Sequence, residues 1–417
     1  MAAALGVLAS CGSVKSGEDA IAASRDSKVV VAYVTSWSEV MPDPQYMTHI
    51  NYAFGHVNES FNGVKIDNEE RLRQIVDLRK QKPELKVLLS IGGWGSGRFS
   101  EMAANDEYRR AFAADCDRVV KEFALDGIDI DWEYPTSSMA NISSSPDDTE
   151  NFTLLMQDIR AAIGNEKELT LATVASARYI DFKAILPSVD FVNIMAYDMA
   201  SAPKHHSALY PSGHSGDITS DGAVTAHLKA GVPPSKLVMG MPFYGRGGDG
   251  YPSFQDYNKV GNTDTQYTEK WDEVAQVPYL ADKNDTLVFG FENPRSLAIK
   301  CQYILDKDLL GGMYWDYSGD NEQGDLRRTV AENLLGKPHK AKVLVLTERG
   351  GQHGGFTDAG LKWLAAEGAK GNFSITEINN ARNITEAYLS QFSLVIQLDF
   401  PPYTWPKEAE DAFVKYI

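Results

Sequence analysis

One short segment of the sequence has acidic residues at alternate positions, Asp126-Gly-Ile-Asp129-Ile-Asp131-Trp-Glu133. On a β-strand, residues two apart lie on the same face, so Asp129, Asp131 and Glu133 would follow one another at intervals of about 6.6 Å. Carboxylates this close in a confined site cannot all ionise, so at least one keeps a proton near neutral pH. A protonated carboxyl beside a substrate can act as a general acid. The alternative, a solvated or metal-binding acidic edge, is disfavoured by the Ile and Trp residues between the acids.

The elements that would position these acids are strands alternating with helices. From residue 28 onward, short apolar runs alternate with helix-like stretches, which predicts parallel strands with crossover helices. The polar residues near the C-terminal ends of most runs favour an α/β (β/α)8 TIM barrel over residues 28–336, because barrel enzymes build their sites there. A doubly wound open sheet is the alternative. The eight predicted strands cover residues 28–37, 49–55, 86–94, 127–133, 168–176, 191–198, 236–247 and 311–318.

The composition is typical of a globular protein. The chain has 417 residues, 43% of them hydrophobic, which is enough to bury one large or two medium cores. The formal net charge is −17 and no basic cluster stands out, so nucleic acid is not expected as a partner. Aromatic residues make up 10% of the chain and supply flat faces for a neutral ligand such as a sugar. Three cysteines are too few for a disulfide framework, and Cys116 and Cys301 are predicted to be buried thiols.

The first residues look like the end of an export signal. The segment Leu8-Ala9-Ser10-Cys11 resembles the lipobox of bacterial lipoproteins, in which the cysteine is lipidated and becomes the mature N-terminus. Residues 1–27 would then be a signal remnant and a polar tether, with a possible membrane tether through Cys11. The expected location is the bacterial cell envelope or the exterior. The basic residues that begin such signals are absent, so a frayed N-terminus is the alternative.

Several motifs together resemble those of glycoside hydrolase family 18, the chitinase family. The acidic segment is similar to the family's DxxDxDxE signature, and Ser90-Ile-Gly92-Gly93 is similar to its SxGG motif. Met195-Ala-Tyr197-Asp198 is similar to MxYD, and Tyr244-Gly-Arg246 follows on the next predicted strand. Trp315 ends the eighth strand, where the family places a tryptophan. The resemblance extends over about three quarters of the chain, with the motifs in family order.

The resemblance implies a substrate-assisted, retaining hydrolysis. Glu133 would protonate the glycosidic oxygen and then activate water, while the substrate's own 2-acetamido carbonyl acts as the nucleophile and forms an oxazolinium ion. Asp131 would turn between Asp129 and the acetamido N–H and stabilise the developing positive charge. Tyr197 would hold the acetamido oxygen beneath the anomeric carbon. The resemblance implies no cofactor and no metal.

The resemblance also implies which residues surround these four. Asp129 would be a buried proton store with Ser90 and Tyr33 nearby, Trp315 the floor of the cleaved sugar's subsite, and Asp198 and Arg246 hydrogen-bonding contacts to the sugar ring. The remaining implied substrate-binding residues are Phe54, Gly92, Gly93, Trp94, Met195 and Tyr244.

Plainer alternatives stand beside several of these roles. The glycines can serve only the close packing of their strand, and Arg246 can pair only with a loop acid. The aromatic residues Trp37, Trp94 and Tyr134 at strand ends can stack on flanking sugars or pack in the core.

The expected substrate is therefore a β-1,4-linked N-acetylglucosamine polymer, namely chitin or its oligosaccharides. The alternatives are an endo-β-N-acetylglucosaminidase acting on N-glycans or peptidoglycan, and a non-catalytic lectin. The intact MxYD favours the chitinase branch, and the presence of Glu133, Asp131 and Tyr197 together argues against the lectin. The connection between strands seven and eight, about 60 residues, is predicted to be too short for an additional α+β domain, which implies a shallow groove and endo cleavage.

After residue 336 the βα pattern restarts. Residues 341–417 are predicted to form the first part of a flavodoxin-like α/β domain, and they resemble, more weakly, the start of trehalose-utilisation (ThuA-like) domains, which share the glutamine amidotransferase fold. No nucleophile-elbow cysteine is present, so amidotransfer is not implied. Because about 75 residues are too few to cover both faces of a doubly wound sheet and the chain stops inside a helix, we expect a truncated version of a longer protein. His353 is a candidate ligand group or simply a loop histidine.

Overall fold

The computed structural model describes residues 28–248, 251–260, 267–336, 341–347, 354–368, 373–390, 392–398 and 404–417. The chain divides into two compact units, Met1–Gly336 and Lys337–Ile417. The predicted lipidation site Cys11 and the histidine at position 353 lie outside the described residues. Within the described residues, no helix has the length and apolar character needed to cross a membrane.

The first unit is built on a closed barrel of eight parallel strands, as predicted. Neighbouring strands follow the order β1-β14-β8-β7-β6-β5-β4-β2, and β1 also pairs with β2, which closes the barrel. The short β3 extends the sheet by antiparallel pairing with β2. The strands are β1 (Val29–Thr35), β2 (His49–Val57), β3 (Val64–Ile66), β4 (Lys86–Gly92), β5 (Gly127–Asp131), β6 (Glu168–Val174), β7 (Phe191–Met195), β8 (Leu237–Pro242), β9 (Tyr244–Gly247), β10 (Gln255–Asp256), β11 (Thr268–Asp272), β12 (Val277–Ala281), β13 (Leu287–Gly290) and β14 (Gly311–Trp315).

Helices in the connections between the strands surround the barrel. Side chains fix several helix starts: Asn105 accepts hydrogen bonds from the amides of Glu107 and Tyr108, and Asn293 forms a capping box with Ser296. The helices are α1 (Glu69–Val76), α2 (Phe99–Ala104), α3 (Asp106–Glu122), α4 (Asp148–Ile163), α5 (Phe182–Ile185), α6 (Ser220–Lys229), α7 (Pro294–Asp306) and α8 (Asp325–Leu334).

The two faces of β5 meet different surroundings. The apolar face packs outward on the helices: the Trp132 ring, just past the strand, stacks on Phe99 of α2 at 5.3 Å and lies 5.9 Å from the Phe152 ring of α4. Asp129 and Asp131 are buried on the opposite, inner face. The predicted strand is two residues too long, because β5 ends at Asp131 and Glu133 lies in the segment that leaves the sheet.

The connection between β8 and β14 differs from the sequence expectation. It contains a five-stranded antiparallel sheet of order β10-β9-β13-β12-β11. A tight turn joins β12 to β13, where the Asp282 side chain accepts hydrogen bonds from the amides of Asn284 and Thr286. The sequence analysis did not predict this sheet, because strands of two to five residues need little chain to form one; the expectation that the connection is too short for an α+β domain stays a prediction.

The second unit contains a three-stranded parallel sheet of order β16-β15-β17. On one face, Leu344 and Leu346 of β15 cluster with Ala409 of α11, and on the other, Val345 clusters with Leu364 of α9. Helices therefore pack on both faces of the central strand β15, while the side chains of the outer strand β17 stay partly or fully exposed. The elements are β15 (Ala341–Thr347), α9 (Gly354–Glu367), β16 (Phe373–Ile378), α10 (Glu386–Leu389), β17 (Leu394–Leu398) and α11 (Lys407–Tyr416).

Candidate active site

Asp129 is a fully buried carboxylate with a complete set of hydrogen bonds. Its Oδ2 accepts from the hydroxyls of Tyr33 and Ser90, both at 2.8 Å. Its Oδ1 accepts from Thr170 at 2.6 Å and from the Asn193 amide at 3.3 Å. Burial raises the pKa of Asp129, and the four hydrogen bonds act in the opposite direction. The structure thus places Tyr33 and Ser90 next to Asp129. The sequence analysis missed Thr170 and Asn193, although each is a polar residue within an otherwise apolar strand, which could have indicated them.

Asp131 lies one step further along the same face of β5. It is 4% exposed, and its Oδ1 has no hydrogen-bond partner among the described residues. Burial, followed by the charges of Glu133 and Asp129, raises the pKa of Asp131 well above its usual range. Asp131 therefore differs from its neighbour in keeping a free oxygen, available to a ligand group that donates a hydrogen bond.

Glu133 follows the end of β5 and is partly exposed. Burial raises the pKa of Glu133 to about 7; a hydrogen bond with Tyr134 opposes the rise and the charge of Asp198 adds to it. A carboxyl with this pKa is protonated in a large fraction of molecules near neutral pH, which is the state that a general acid needs.

Tyr197 and Asp198 follow the end of β7. Tyr197 is half-buried; its hydroxyl lies 3.8 Å from the Met313 sulfur, and its ring meets that of Tyr244 edge-on at 6.1 Å. Burial, then the charges of Asp131 and Glu133, raise the pKa of Tyr197 well above its usual range. The phenol therefore keeps its proton and can donate a hydrogen bond.

Asp198 and Arg246 form a bidentate salt bridge. Nε and one terminal nitrogen of Arg246 donate to the two oxygens of Asp198 at 2.7 and 2.6 Å. Nδ1 of the buried His206 lies 3.4 Å from Asp198 Oδ1. Burial opposes ionisation of Asp198, but Arg246 and His206 outweigh it and hold the pKa of this carboxyl below its usual range. Arg246 thus pairs with Asp198, whether or not it also contacts a sugar, and the sequence analysis missed His206.

An aromatic group gathers around Trp315 at the end of β14. Its ring stacks on Phe54 at 5.6 Å and lies 5.6 Å from Tyr33 and 6.4 Å from Trp37. Trp37 is 64% exposed. The group therefore extends from the buried interior of the barrel to the solvent.

The other predicted aromatic positions are also near strand ends. Trp94 follows β4 and is 61% exposed, so neither Trp37 nor Trp94 packs in the core. Tyr134 stacks on Tyr179 at 5.5 Å. Met195 is partly buried against the inner barrel cluster.

Gly92 and Gly93 allow close approach of neighbouring groups. Both have positive φ, 133° and 92°. A Cβ at Gly92 would lie 1.9 Å from the carbonyl oxygen of Asp131, and one at Gly93 would lie 2.6 Å from the Phe54 ring. The Gly93 amide donates to the same Asp131 carbonyl at 2.8 Å. These glycines set the positions of Asp131 and Phe54 through the backbone.

A cleft of about 970 Å³ lies away from these residues. Its lining includes Val40, Met41, Tyr257, Asp320 and Arg327, and none of the predicted site residues. Asp320 is already paired with Arg327 at 3.1 Å. The cleft and the acidic row are therefore lined by different residues.

The described part of the chain contains no group of three or more His, Cys, Asp or Glu side chains arranged to hold a metal ion.

Comparison with known proteins identifies relatives of the first unit. Residues 29–320 match the family model described as Glycosyl hydrolases family 18. Chitinase A1 of Niallia circulans is 30% identical, over 73% of this chain and 58% of that protein. The chain thus spans less than two thirds of the length of this relative.

Two solved structures are similar to the same unit. One is a glycoside hydrolase family 18 N-acetylglucosaminidase from Paenibacillus barengoltzii, with 32% identity, a TM-score of 0.68, and coverage of 73% of this chain and 99% of that one. The other is chitinase ChiW from Paenibacillus sp. FPU-7, described as cell-surface-expressed and multi-modular, with 29% identity, a TM-score of 0.68, and coverage of 77% and 45%.

Proposed function

Because the chain belongs to glycosyl hydrolases family 18, we propose that it is a retaining hydrolase of β-1,4-linked N-acetylglucosamine polymers, that is, of chitin or chito-oligosaccharides. The observation that supports this best is the row formed by Asp129, Asp131 and Glu133, in which burial raises the pKa of every member. Such a row supplies protons and a shielded negative charge in one small space. The chitinase among its relatives supports the choice of substrate.

Glu133 performs the proton transfers in this proposal. Its proton passes to the glycosidic oxygen as the bond from that oxygen to the anomeric carbon breaks. The substrate's acetamido oxygen attacks the anomeric carbon and closes an oxazolinium ring. Water then attacks the same carbon, gives its proton to the Glu133 carboxylate and reopens the ring. Two inversions give net retention, and the protein supplies no nucleophile.

Asp131 and Tyr197 hold the acetamido group. The free, buried oxygen of Asp131 suits the acetamido N–H, whose positive charge grows as the ring closes. The Tyr197 phenol, which keeps its proton, donates to the acetamido oxygen. Asp129, fixed by four hydrogen bonds, supports Asp131 from below.

Aromatic and charged side chains would bind the sugars. Trp315, stacked on Phe54, offers a face for the sugar that is cleaved, and the exposed Trp37 and Trp94 offer faces for flanking sugars. In this proposal Asp198 and Arg246, held together as a pair, contact the sugar ring.

The products of a soluble N-acetylglucosamine hexamer test this function. The purified protein is incubated with the hexamer and, separately, with a high-mannose glycoprotein, and products are read by mass spectrometry and NMR. We expect shorter oligomers released first as the β-anomer. Release of N-glycans with an intact hexamer would favour the glycan-cutting alternative, and no cleavage of either would overturn the proposal.

A second candidate is the release of single N-acetylglucosamine units. It is favoured by the relative named as an N-acetylglucosaminidase. The same experiment separates the two, because this activity gives monomer and pentamer as the first products, whereas internal cleavage gives dimers to tetramers.

We also propose roles for the two ends of the chain. Residues 1–27 would be a lipoprotein-type signal remnant and tether that exports the protein and anchors it through Cys11, in keeping with the cell-surface-expressed relative. Residues 28–336 would be the catalytic domain and residues 341–417 a partial ThuA-like domain. The strand order β16-β15-β17 supports the latter, because it is the order of the first three strands of a flavodoxin-like sheet. Labelling with palmitate that Cys11→Ala abolishes would test the anchor.

A further inference from the structure

A buried histidine contacts the loop that follows β7. His206 is 1% exposed, its Nδ1 lies 3.4 Å from Asp198 Oδ1, and its ring centroid lies 5.4 Å from that of Tyr244. Its carbonyl oxygen accepts a hydrogen bond from the Met199 amide at 3.0 Å. Backbone and side chain of one residue therefore both contact the segment that begins with Asp198.

Asp198 needs such support because its backbone is strained. Its φ is +54°, in the left-handed region that residues other than glycine seldom adopt. Arg246 grips both carboxylate oxygens but is itself a long side chain, 32% exposed. The His206 ring is buried and cannot turn out into solvent as the Arg246 side chain can. His206 is therefore the more rigid of the two partners of the Asp198 carboxylate.

We propose that His206 is a positioning residue, which holds the Asp198 carboxylate in the orientation that the active site requires through the close approach of its Nδ1 to Asp198 Oδ1 at 3.4 Å. Neither ring nitrogen of His206 has another hydrogen-bond partner among the described residues, so this polar contact is the one that the ring offers. This inference rests on the proposed function. Asp198 follows Tyr197 directly in the chain, and its charge acts on Glu133. A rotation of Asp198 would therefore disturb the acid and the phenol together.

The neighbouring histidine provides a matched control. His205 is also buried, but its Nε2 lies 3.2 Å from Asp272 of β11, and its ring packs against Tyr279 of β12. His205 thus forms a hydrogen bond to the inserted sheet, whereas the His206 ring approaches the Asp198 carboxylate at 3.4 Å without completing one. Substitution of either one removes a buried imidazole beside a carboxylate.

Two substitutions of His206 by an amide residue test whether the N–H group must lie at the position of Nδ1 or need only be present. In His206→Asn the amide nitrogen takes the place of Nδ1, one bond from Cγ, whereas in His206→Gln it takes a place nearer to Nε2. Kinetics on the chito-oligosaccharide hexamer give kcat and KM, and thermal unfolding shows whether each variant is folded. We expect His206→Asn to keep kcat within about threefold of the wild type and His206→Gln to lose about tenfold or more, the effect of one misplaced polar contact in an active site.

Three outcomes bear on the inference. Equal kcat values for the Asn and Gln variants would overturn it, as would a loss in His205→Gln as large as that in His206→Gln. If His206→Gln is unfolded, the Asn variant decides alone: a folded Asn variant that loses tenfold in kcat overturns the role of the Nδ1 donor. A wild type that cleaves no hexamer would instead refute the proposed function, and it is measured first.

Discussion

The floor and the mouth of the acidic row are built differently. We call Asp129 with its four hydrogen-bond donors the floor, and Asp131 with Glu133 the mouth. Both oxygens of the floor carboxylate are satisfied, whereas Asp131 Oδ1 has no partner among the described residues. A buried polar atom without a partner costs about 1–3 kcal/mol. The comparison teaches that the barrel fixes one carboxylate completely and leaves one oxygen of the carboxylate next to it unpaired.

Removal of the mouth's acid should have the largest effect. In Glu133→Gln the side chain keeps its shape but cannot transfer a proton, so kcat should fall by about 10²–10⁴-fold. Binding of the N-acetylglucosamine hexamer, measured by isothermal calorimetry, should stay within a few-fold. Unchanged turnover would refute the role of Glu133.

Removal of the free carboxylate should have the next largest effect. We expect Asp131→Asn to lower kcat by about 10²–10³-fold, because the charge that stabilises the developing cation is lost. Asp126→Asn is the control, since Asp126 begins the same segment but accepts a hydrogen bond from the Val87 amide at 2.7 Å and pairs with Arg79. Asp126→Asn should lower the free energy of unfolding and leave kcat unchanged. Equal losses of kcat in Asp131→Asn and Asp126→Asn would refute a specific role for Asp131.

The mouth should also make stability depend on pH. The pKa of Glu133 is raised in the folded protein from 4.5 to about 7, so the folded state binds more protons than the unfolded state between these values. Stability from this group is therefore full below pH 4.5 and is lost as the pH rises through about 7. Compared with the wild type, Glu133→Gln should gain about 1–3 kcal/mol in free energy of unfolding between pH 5 and pH 8. Parallel pH profiles in urea denaturation would contradict this expectation.

The floor should show the smallest catalytic effect. Thr170→Val keeps the shape of the side chain and removes its 2.6 Å hydrogen bond to Asp129, so the free energy of unfolding should fall by about 1–3 kcal/mol. Thr173→Val, three residues along β6, removes a bond to His227 at 2.7 Å and is the matched control. Both should destabilise similarly, and only Thr170→Val should lower kcat, by less than about tenfold. A hundredfold loss would place Asp129 among the groups that react.

The barrel and the acidic row could be predicted because both depend on short-range patterns. Alternation of Ile and Asp over five residues assigns the faces of β5, and the barrel follows from the repeated βα pattern. Thr170, Asn193 and His206 could not be assigned to the site from the sequence. Thr170 and Asn193 reach Asp129 only through the register of the closed sheet. His206 reaches Asp198 within the long loop after β7, whose course no periodicity indicates.

The strand ends and the inserted sheet were missed for a related reason. Trp132 and Glu133 continue the alternation of β5, but the pairing with β6 stops at Ile130, so the chain leaves the sheet earlier than the pattern does. Strands as short as Gln255–Asp256 provide too few residues for any periodicity to be recognised.

Closure of the barrel has a consequence for how the protein is made. β1 pairs with β2 at Val31–His49 and with β14 at Val29–Gly311. The second pairing, which closes the barrel, can form only after β14, the last barrel strand, has been synthesised. Trp315, which stacks beside Phe54, arrives at the same late moment. Contacts so distant in sequence form slowly. During synthesis the acidic row is therefore made before the barrel around it can close, and a nascent chain that stops short of β14 contains Asp129, Asp131 and Glu133 without the strand and the Trp315 ring that complete their surroundings.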